Sequence, residues 1–132
     1  MDGNQKQLNI LSVEDDSIIG EMLVIMLQDM GHEAISAENG VEAFELYEEA
    51  LKSGHPFNLI ISDLGMEEMD GITLAKKIRE ITHGIPIILL TGFSTLIKQG
   101  DYDVFDCLLR KPVVIDELKD AIIKLTHNTS SS

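Results

Sequence analysis

The chain has 132 residues, 44% hydrophobic and 25% charged, which fits one globular domain with a two- or three-layer core and excludes a disordered chain. Its formal net charge is −13, and its ten Lys and Arg form no block. Such a surface repels phosphate backbones, so no direct nucleic-acid binding is expected. In chain order, a first strand is read at residues 8–13 (LNILSV). A helix follows over 16–30, where Ile19, Met22, Leu23, Met26, Leu27 and Met30 step by three and four as a core-facing stripe. Ile18 and Ile25 are apolar extras outside that stripe, seven residues apart and so on one helical face. Gly31 is the candidate stop for this helix. A weaker strand lies at 33–37 (EAISA), and a second helix over 40–53 carries Ala43, Phe44, Tyr47 and Leu51 before Gly54 and Pro56 end it. A third strand is read at 58–62 (NLIIS), then a helix after Gly71 with Leu74, Ala75, Ile78 and Ile81. Strands at 86–90 (PIILL) and 104–109 (VFDCLL) come next, and a last helix carries Ile115, Leu118, Ile122 and Leu125.

The count is five strands and five helices in strict alternation. The strands at 58–62 and 86–90 are apolar on consecutive residues, as expected when helices cover both faces of a sheet. Short connections between alternating elements give right-handed crossovers and parallel pairing. The expected fold is therefore α/β, a three-layer, doubly wound, five-stranded parallel sheet. One domain is expected over 1–132, with its core at about 8–127 and flexible ends at 1–7 and 128–132. No apolar run approaches the roughly 20 residues of a membrane helix, and the start lacks the basic flank and apolar centre of a signal peptide. A single cysteine, Cys107, allows no internal disulfide. A cytoplasmic setting without membrane contact is the expectation. Cys107 and the methionines, Met22, Met26 and Met30 among them, are read as core filling. His32, His55, His83 and His127 are read as surface residues, since none has a His or Cys at metal-ligand spacing.

In an open parallel sheet, ligands bind beyond the carboxyl ends of the strands. Those ends carry Glu14, Asp15 and Asp16 after the first strand, Asp63 after the third, Thr91 after the fourth, and Arg110, Lys111 and Pro112 after the fifth. Two carboxylates about 4 Å apart repel by roughly 4 kcal/mol at an effective dielectric near 20. One must take a proton, or a cation must join them. A few carboxylate oxygens suit Mg2+, which keeps several waters and bridges to phosphate oxygens. Lys111 adds a compact positive charge and Thr91 a hydroxyl. Together these groups suit a phosphoryl group, with a carboxylate as its nucleophile.

Four segments in order, VEDD at 13–16, SDLGMEEMDG at 62–71, PIILLTGFS at 86–94 and LLRKPV at 108–113, resemble the response regulator receiver family of two-component signalling, with its chemotaxis-regulator-like single domains. The resemblance spans about residues 8–127. It implies the flavodoxin-like strand order 2-1-3-4-5. It implies Asp63 as phosphoacceptor and Glu14 and Asp15 as the acidic pair, with Asp15 a direct Mg2+ ligand. It further implies the Gly65 carbonyl as another metal ligand, Thr91 as the switch hydroxyl, Lys111 as its partner cation, and Pro112 as the family's often cis proline. The implied partners are a histidine kinase or histidine phosphotransfer protein, with a downstream protein or a second copy as a further partner. The implied role is acceptance of a phosphoryl group that switches an interaction surface, with no catalysis beyond the chain's own phosphorylation and dephosphorylation. Leu108 stands where the family usually has an aromatic, and Glu67 where it often has proline.

Two alternatives share parts of this pattern. The segment LLTGFS is reminiscent of receiver modules within hybrid histidine kinases. An aspartyl-phosphate phosphohydrolase would need an Asp two residues past its nucleophile, where this chain has Gly65. A flavin carrier would need a hydroxyl- and glycine-rich loop after the first strand, where this chain has acids.

Overall fold

The computed structural model describes residues 7–63, 70–92 and 104–127. The strands are β1 Asn9–Val13, β2 Glu33–Ala37, β3 Leu59–Asp63, β4 Ile87–Thr91 and β5 Cys107–Arg110. They form one sheet in the order β2-β1-β3-β4-β5, and every neighbouring pair is parallel. The described helices are α1 Ser17–Asp29, α2 Gly40–Ser53, α3 Gly71–Ile81 and α4 Ile115–His127. The helix expected between the fourth and fifth strands falls within 93–103, outside the described residues. The same holds for residues 1–6 and 128–132, within the ends expected to be flexible at 1–7 and 128–132, and for the segment that carries Gly65 and Glu67.

Local chemistry starts and stops the helices. Asp16 caps α1, its carboxylate accepting from the Ile18 and Ile19 N–H groups. Asn39 caps α2 by accepting from Glu42 N–H, while the Glu42 carboxylate accepts from Glu38 N–H. Asp70 caps α3 through Thr73 N–H. Gly31 at φ 98° and Gly54 at φ 85° turn the chain out of α1 and α2 through the left-handed region that glycine enters without a Cβ clash.

The helices then cover both faces of the sheet. Ala43 and Tyr47 of α2 and Leu74, Ala75 and Ile78 of α3 pack on Leu11, Val13, Ile60, Ile87 and Leu89. On the other face Leu23 and Leu27 of α1 and Leu118, Ala121 and Ile122 of α4 pack on Ile10, Leu59, Ile61, Ile88 and Leu90. The chain leaves β1 for β2 on one side and reaches β3 on the other. The strand order therefore reverses beside β1 and β3, which opens a crevice at their carboxyl ends.

Several expectations need correction. β3, β4 and β5 each run one residue further than read, so Asp63, Thr91 and Arg110 are the last residues of their strands. β4 begins at Ile87 because Pro86 has no N–H to give the ladder. β5 begins at Cys107 because the Asp106 side chain occupies the Ile87 N–H just below it. Met22 is not core: it is 52% exposed. It lies about 100° around the helix from Leu23, away from the line through Gly20, Leu23 and Leu27 that meets the sheet. Leu51, Ile81 and Ile115, each in the last or first turn of its helix, are also exposed. Cys107 is half-buried on the edge strand β5, not a full core residue. His32 is not a plain surface residue. It is half-buried, and its Nδ1 accepts from Leu8 N–H at 3.1 Å, tying the approach to β1 to the α1–β2 turn.

Candidate functional site

Three strands deliver the site. Alternation along β1 places Glu14 on the Ile10 face, the side of α1 and α4, and alternation along β3 places Asp63 on the same face as Leu59 and Ile61. Asp15 follows Glu14 before the helix starts and is exposed. One carboxylate oxygen from each of Glu14, Asp15 and Asp63 can be chosen so that all three lie within 4.8 Å of one another. Glu14 is 1% exposed and Asp63 9%. This is the acid cluster read from the sequence, in the frame Glu14/Asp15.

Lys111 enters from the far side of the sheet. Its backbone N–H donates to the Thr91 carbonyl at 3.0 Å, continuing the β4–β5 ladder by one residue. Its ammonium lies 3.0 Å from Glu14 Oε1 and 3.2 Å from Asp63 Oδ1. One cation thus joins two acids that arrive on different strands. Thr91 is buried at the end of β4, one residue beyond the β3–β4 pair Asp63–Leu90. The peptide between Lys111 and Pro112 is cis. Gly65 lies outside the described residues.

The electrostatics follow from burial and pairing. Burial pushes the Glu14 carboxyl up; Lys111 and the Asp16 N–H pull it down, the charge on Asp63 pushes it up again, and the outcome is a raised pKa. Burial works against the Lys111 ammonium, but Glu14 and Asp63 outweigh it and hold that pKa above its ordinary value. The donor set fits Mg2+: three hard carboxylate oxygens, one group exposed and two buried, with more negative charge than one ammonium balances.

Two contributors were not read from the sequence. The Asp16 N–H donates to Glu14 Oε2 at 3.2 Å and so helps orient that carboxylate, while the Asp16 side chain is spent on the α1 cap. The signal was present, since an Asp directly before a helical period is a cap. Gly20 lets α1 lie close to β2: a Cβ there would stand 2.7 Å from Ser36 Oγ and 3.8 Å from Glu14 Cβ. Nothing local in the sequence marks that approach.

Comparison with known proteins gives a consistent result. The family model described as the response regulator receiver domain matches residues 10–123. The response regulator receiver protein CpdR of Brucella abortus is 35% identical over 118 residues, covering 88% of this chain and 94% of CpdR. The transcriptional regulatory protein GlrR of Escherichia coli is 32% identical over 90% of this chain, which spans only 26% of GlrR. The response regulator protein TrrA of Thermotoga maritima, solved in complex with Mg2+ and BeF, superposes with a TM-score of 0.78 at 34% identity, covering 90% of this chain and 99% of TrrA. The cluster of Glu14, Asp15 and Asp63 with its Lys111 ion pairs matches the aspartate-phosphorylation and Mg2+ site of such domains. Sequence, strand order and site agree, and the chain belongs to the response regulator receiver domain family.

Proposed function

We propose that Asp63 is the residue that takes the phosphoryl group, with Glu14, Asp15, Asp63 and the Gly65 carbonyl as the Mg2+ ligands. The observation that carries this reading is the Lys111 ammonium held at 3.0 and 3.2 Å between two acids from different strands, beside a third. Mg2+, when bound there, supplies divalent positive charge to the phosphoryl oxygens. The chain's own groups do the rest. Asp63 offers a carboxylate oxygen to phosphorus. The phosphorus–nitrogen bond of a phosphohistidine breaks with its electron pair going to the imidazole, which leaves neutral because its other nitrogen is protonated. Lys111 stands within reach of a phosphoryl oxygen on Asp63 and offsets the charge that gathers there. Thr91, ending the adjacent strand, is the hydroxyl that turns toward the modified Asp63.

The proposed donor is a histidine kinase or a histidine phosphotransfer protein, docking on α1. That helix starts two residues after Asp15, so its first turn borders the acceptor site. A downstream protein or a second copy then reads the phosphorylated surface. The chemistry ends with the chain's own phosphorylation and dephosphorylation. Incubation with acetyl phosphate and Mg2+, followed by mass spectrometry of the whole chain, tests the assignment. One added phosphoryl group is expected on the wild-type chain and none on Asp63→Ala or in EDTA. A normal adduct on Asp63→Ala would overturn it.

A further inference from the structure

At the amino end of the sheet, opposite the acids, one arginine gathers three backbone carbonyls from two segments. Arg79 of α3 donates from Nε to the Val104 carbonyl at 2.8 Å and from Nη1 to the His83 and Ile85 carbonyls at 2.9 and 3.1 Å. Its Nη2 pairs with Asp106 Oδ2 at 2.7 Å. The same carboxylate oxygen accepts from Ile87 N–H at 2.8 Å, and Asp106 N–H donates to the Ile87 carbonyl at 2.8 Å. Asp106 thus holds both backbone polar groups of the first residue of β4, one with its side chain and one with its main chain. Arg79 holds Asp106 in place and ties down the chain just before β4 and just before β5.

The strand above this rung specifies its own register poorly. β5 is a short edge strand of sequence CLLR. Leu109 is half-buried against the α1/α4 cluster, while its neighbour Leu108 is 39% exposed. A slip of one residue would replace Cys107 and Leu109 on that face by Leu108 and one charged neighbour, Arg110 or Asp106, so the apolar difference is a single small side chain. Such a slip also moves every side chain to the opposite face. Lys111 shares the face of Cys107 and Leu109 by alternation, the face on which Glu14 and Asp63 project. The rung from Asp106 to Ile87 sets the pairs Ile88–Cys107 through Thr91–Arg110, and the next bond is Lys111 N–H to Thr91. We infer that Arg79 and Asp106 are positioning residues for Lys111: from the amino end of the sheet they set the β5 register that delivers its ammonium to Glu14 and Asp63.

This inference rests on the role proposed for Lys111, and a double-mutant cycle separates the two. Rates of labelling by acetyl phosphate with Mg2+ are compared for wild type, Asp106→Ala, Lys111→Ala and the double variant. Lys111→Ala is expected to slow labelling at least about tenfold, and Asp106→Ala at least about threefold. The double variant is expected to match Lys111→Ala within about twofold, because a residue that acts only through Lys111 has nothing left to lose. Amide hydrogen exchange is expected to speed up at Lys111 in Asp106→Ala and to stay unchanged along β1 and β3. A wild-type rate in Asp106→Ala beside a slow Lys111→Ala sinks the inference alone. So does a double variant in which the two losses multiply. A wild-type rate in Lys111→Ala overturns the reading of the site and the inference with it. If Asp106→Ala loses its cooperative melting transition, Arg79→Gln replaces it in the cycle, since that change leaves the Asp106–Ile87 bonds. A smaller slowing that vanishes in the Lys111→Ala background is then expected, and one that multiplies would reject the inference.

Discussion

Glu14 is the residue on which the site's electrostatics turn. It is the most buried of the three acids, and it is held from two sides by Lys111 and by the Asp16 N–H. Its place was legible through the family resemblance, and the structure gives the physical reason: strand alternation puts it on the face of Ile10, while Asp16 at the next like-facing position is claimed by the helix cap. His32 could not be read in that way. Its partner is the N–H of residue 8, 24 positions away, and no period or motif announces that approach. The pairing has a consequence for stability. Nδ1 of His32 accepts a hydrogen bond, so the folded state holds the neutral ring, and burial lowers its pKa from the ordinary 6.5. As pH falls below that value the unfolded chain takes up the proton first, and folding stability drops toward the lower folded pKa. Above 6.5 neither state binds the proton and the effect is gone. His32→Gln removes the titration. Between pH 7 and pH 5 the wild-type melting temperature is therefore expected to fall more steeply than that of His32→Gln, with parallel curves at higher pH. Thermal melts followed by circular dichroism check this, and parallel curves throughout would show that the ring titrates alike in both states.

Among the elements, α1 departs from what its sequence suggested in an informative way. The three- and four-residue spacing marks where a helix can face a core, but six apolar positions exceed what one sheet face can cover. The sheet takes the line of Gly20, Leu23 and Leu27, and Met22 is left outside. Ile18, Met22 and Ile25 are 70%, 52% and 56% exposed. At about 100° per residue they fall within roughly 60° of one another on the side turned away from the sheet. A wider buried face would have hidden Ile18 and Ile25, and it does not. An apolar stripe two turns long beside the acceptor site suits a partner helix. The variant Ile18→Glu with Ile25→Glu is expected to slow phosphoryl transfer from the cognate kinase at least about tenfold, as loss of a central apolar contact does. Labelling by acetyl phosphate and the melting temperature should stay near wild type, because both side chains are already solvated. Equal slowing with acetyl phosphate would place the effect in the site and not in docking. Strand ends were less legible than helices, and for a physical reason. Whether Asp63 or Thr91 closes a strand depends on a ladder bond from the neighbouring strand, which hydropathy along one segment does not contain.

At the scale of the whole molecule, layer order and strand order followed from alternation of elements and from the family resemblance, while the charge balance sets how the domain responds to ions. The chain carries −13 overall, and among the described residues three acids converge at one crevice with the Lys111 ammonium. Two effects of added salt must therefore be told apart. Any salt screens the overall repulsion and stabilises the compact state modestly, with a Debye length near 10 Å at 0.1 M. A cation that binds the crevice stabilises the folded state further by mass action, about 2.7 kcal/mol when its concentration is 100 times its dissociation constant. For a domain of this size that is a rise of roughly 5–15 °C in melting temperature. MgCl2 is thus expected to raise the melting temperature well above NaCl at matched ionic strength, and EDTA should return it to the NaCl value. Asp15→Asn removes the one exposed acid of the cluster without touching either Lys111 ion pair. It is expected to keep the NaCl response and lose most of the additional Mg2+ response. An equal response to both salts in the wild-type chain would mean that the crevice holds no Mg2+ and that only diffuse screening is at work.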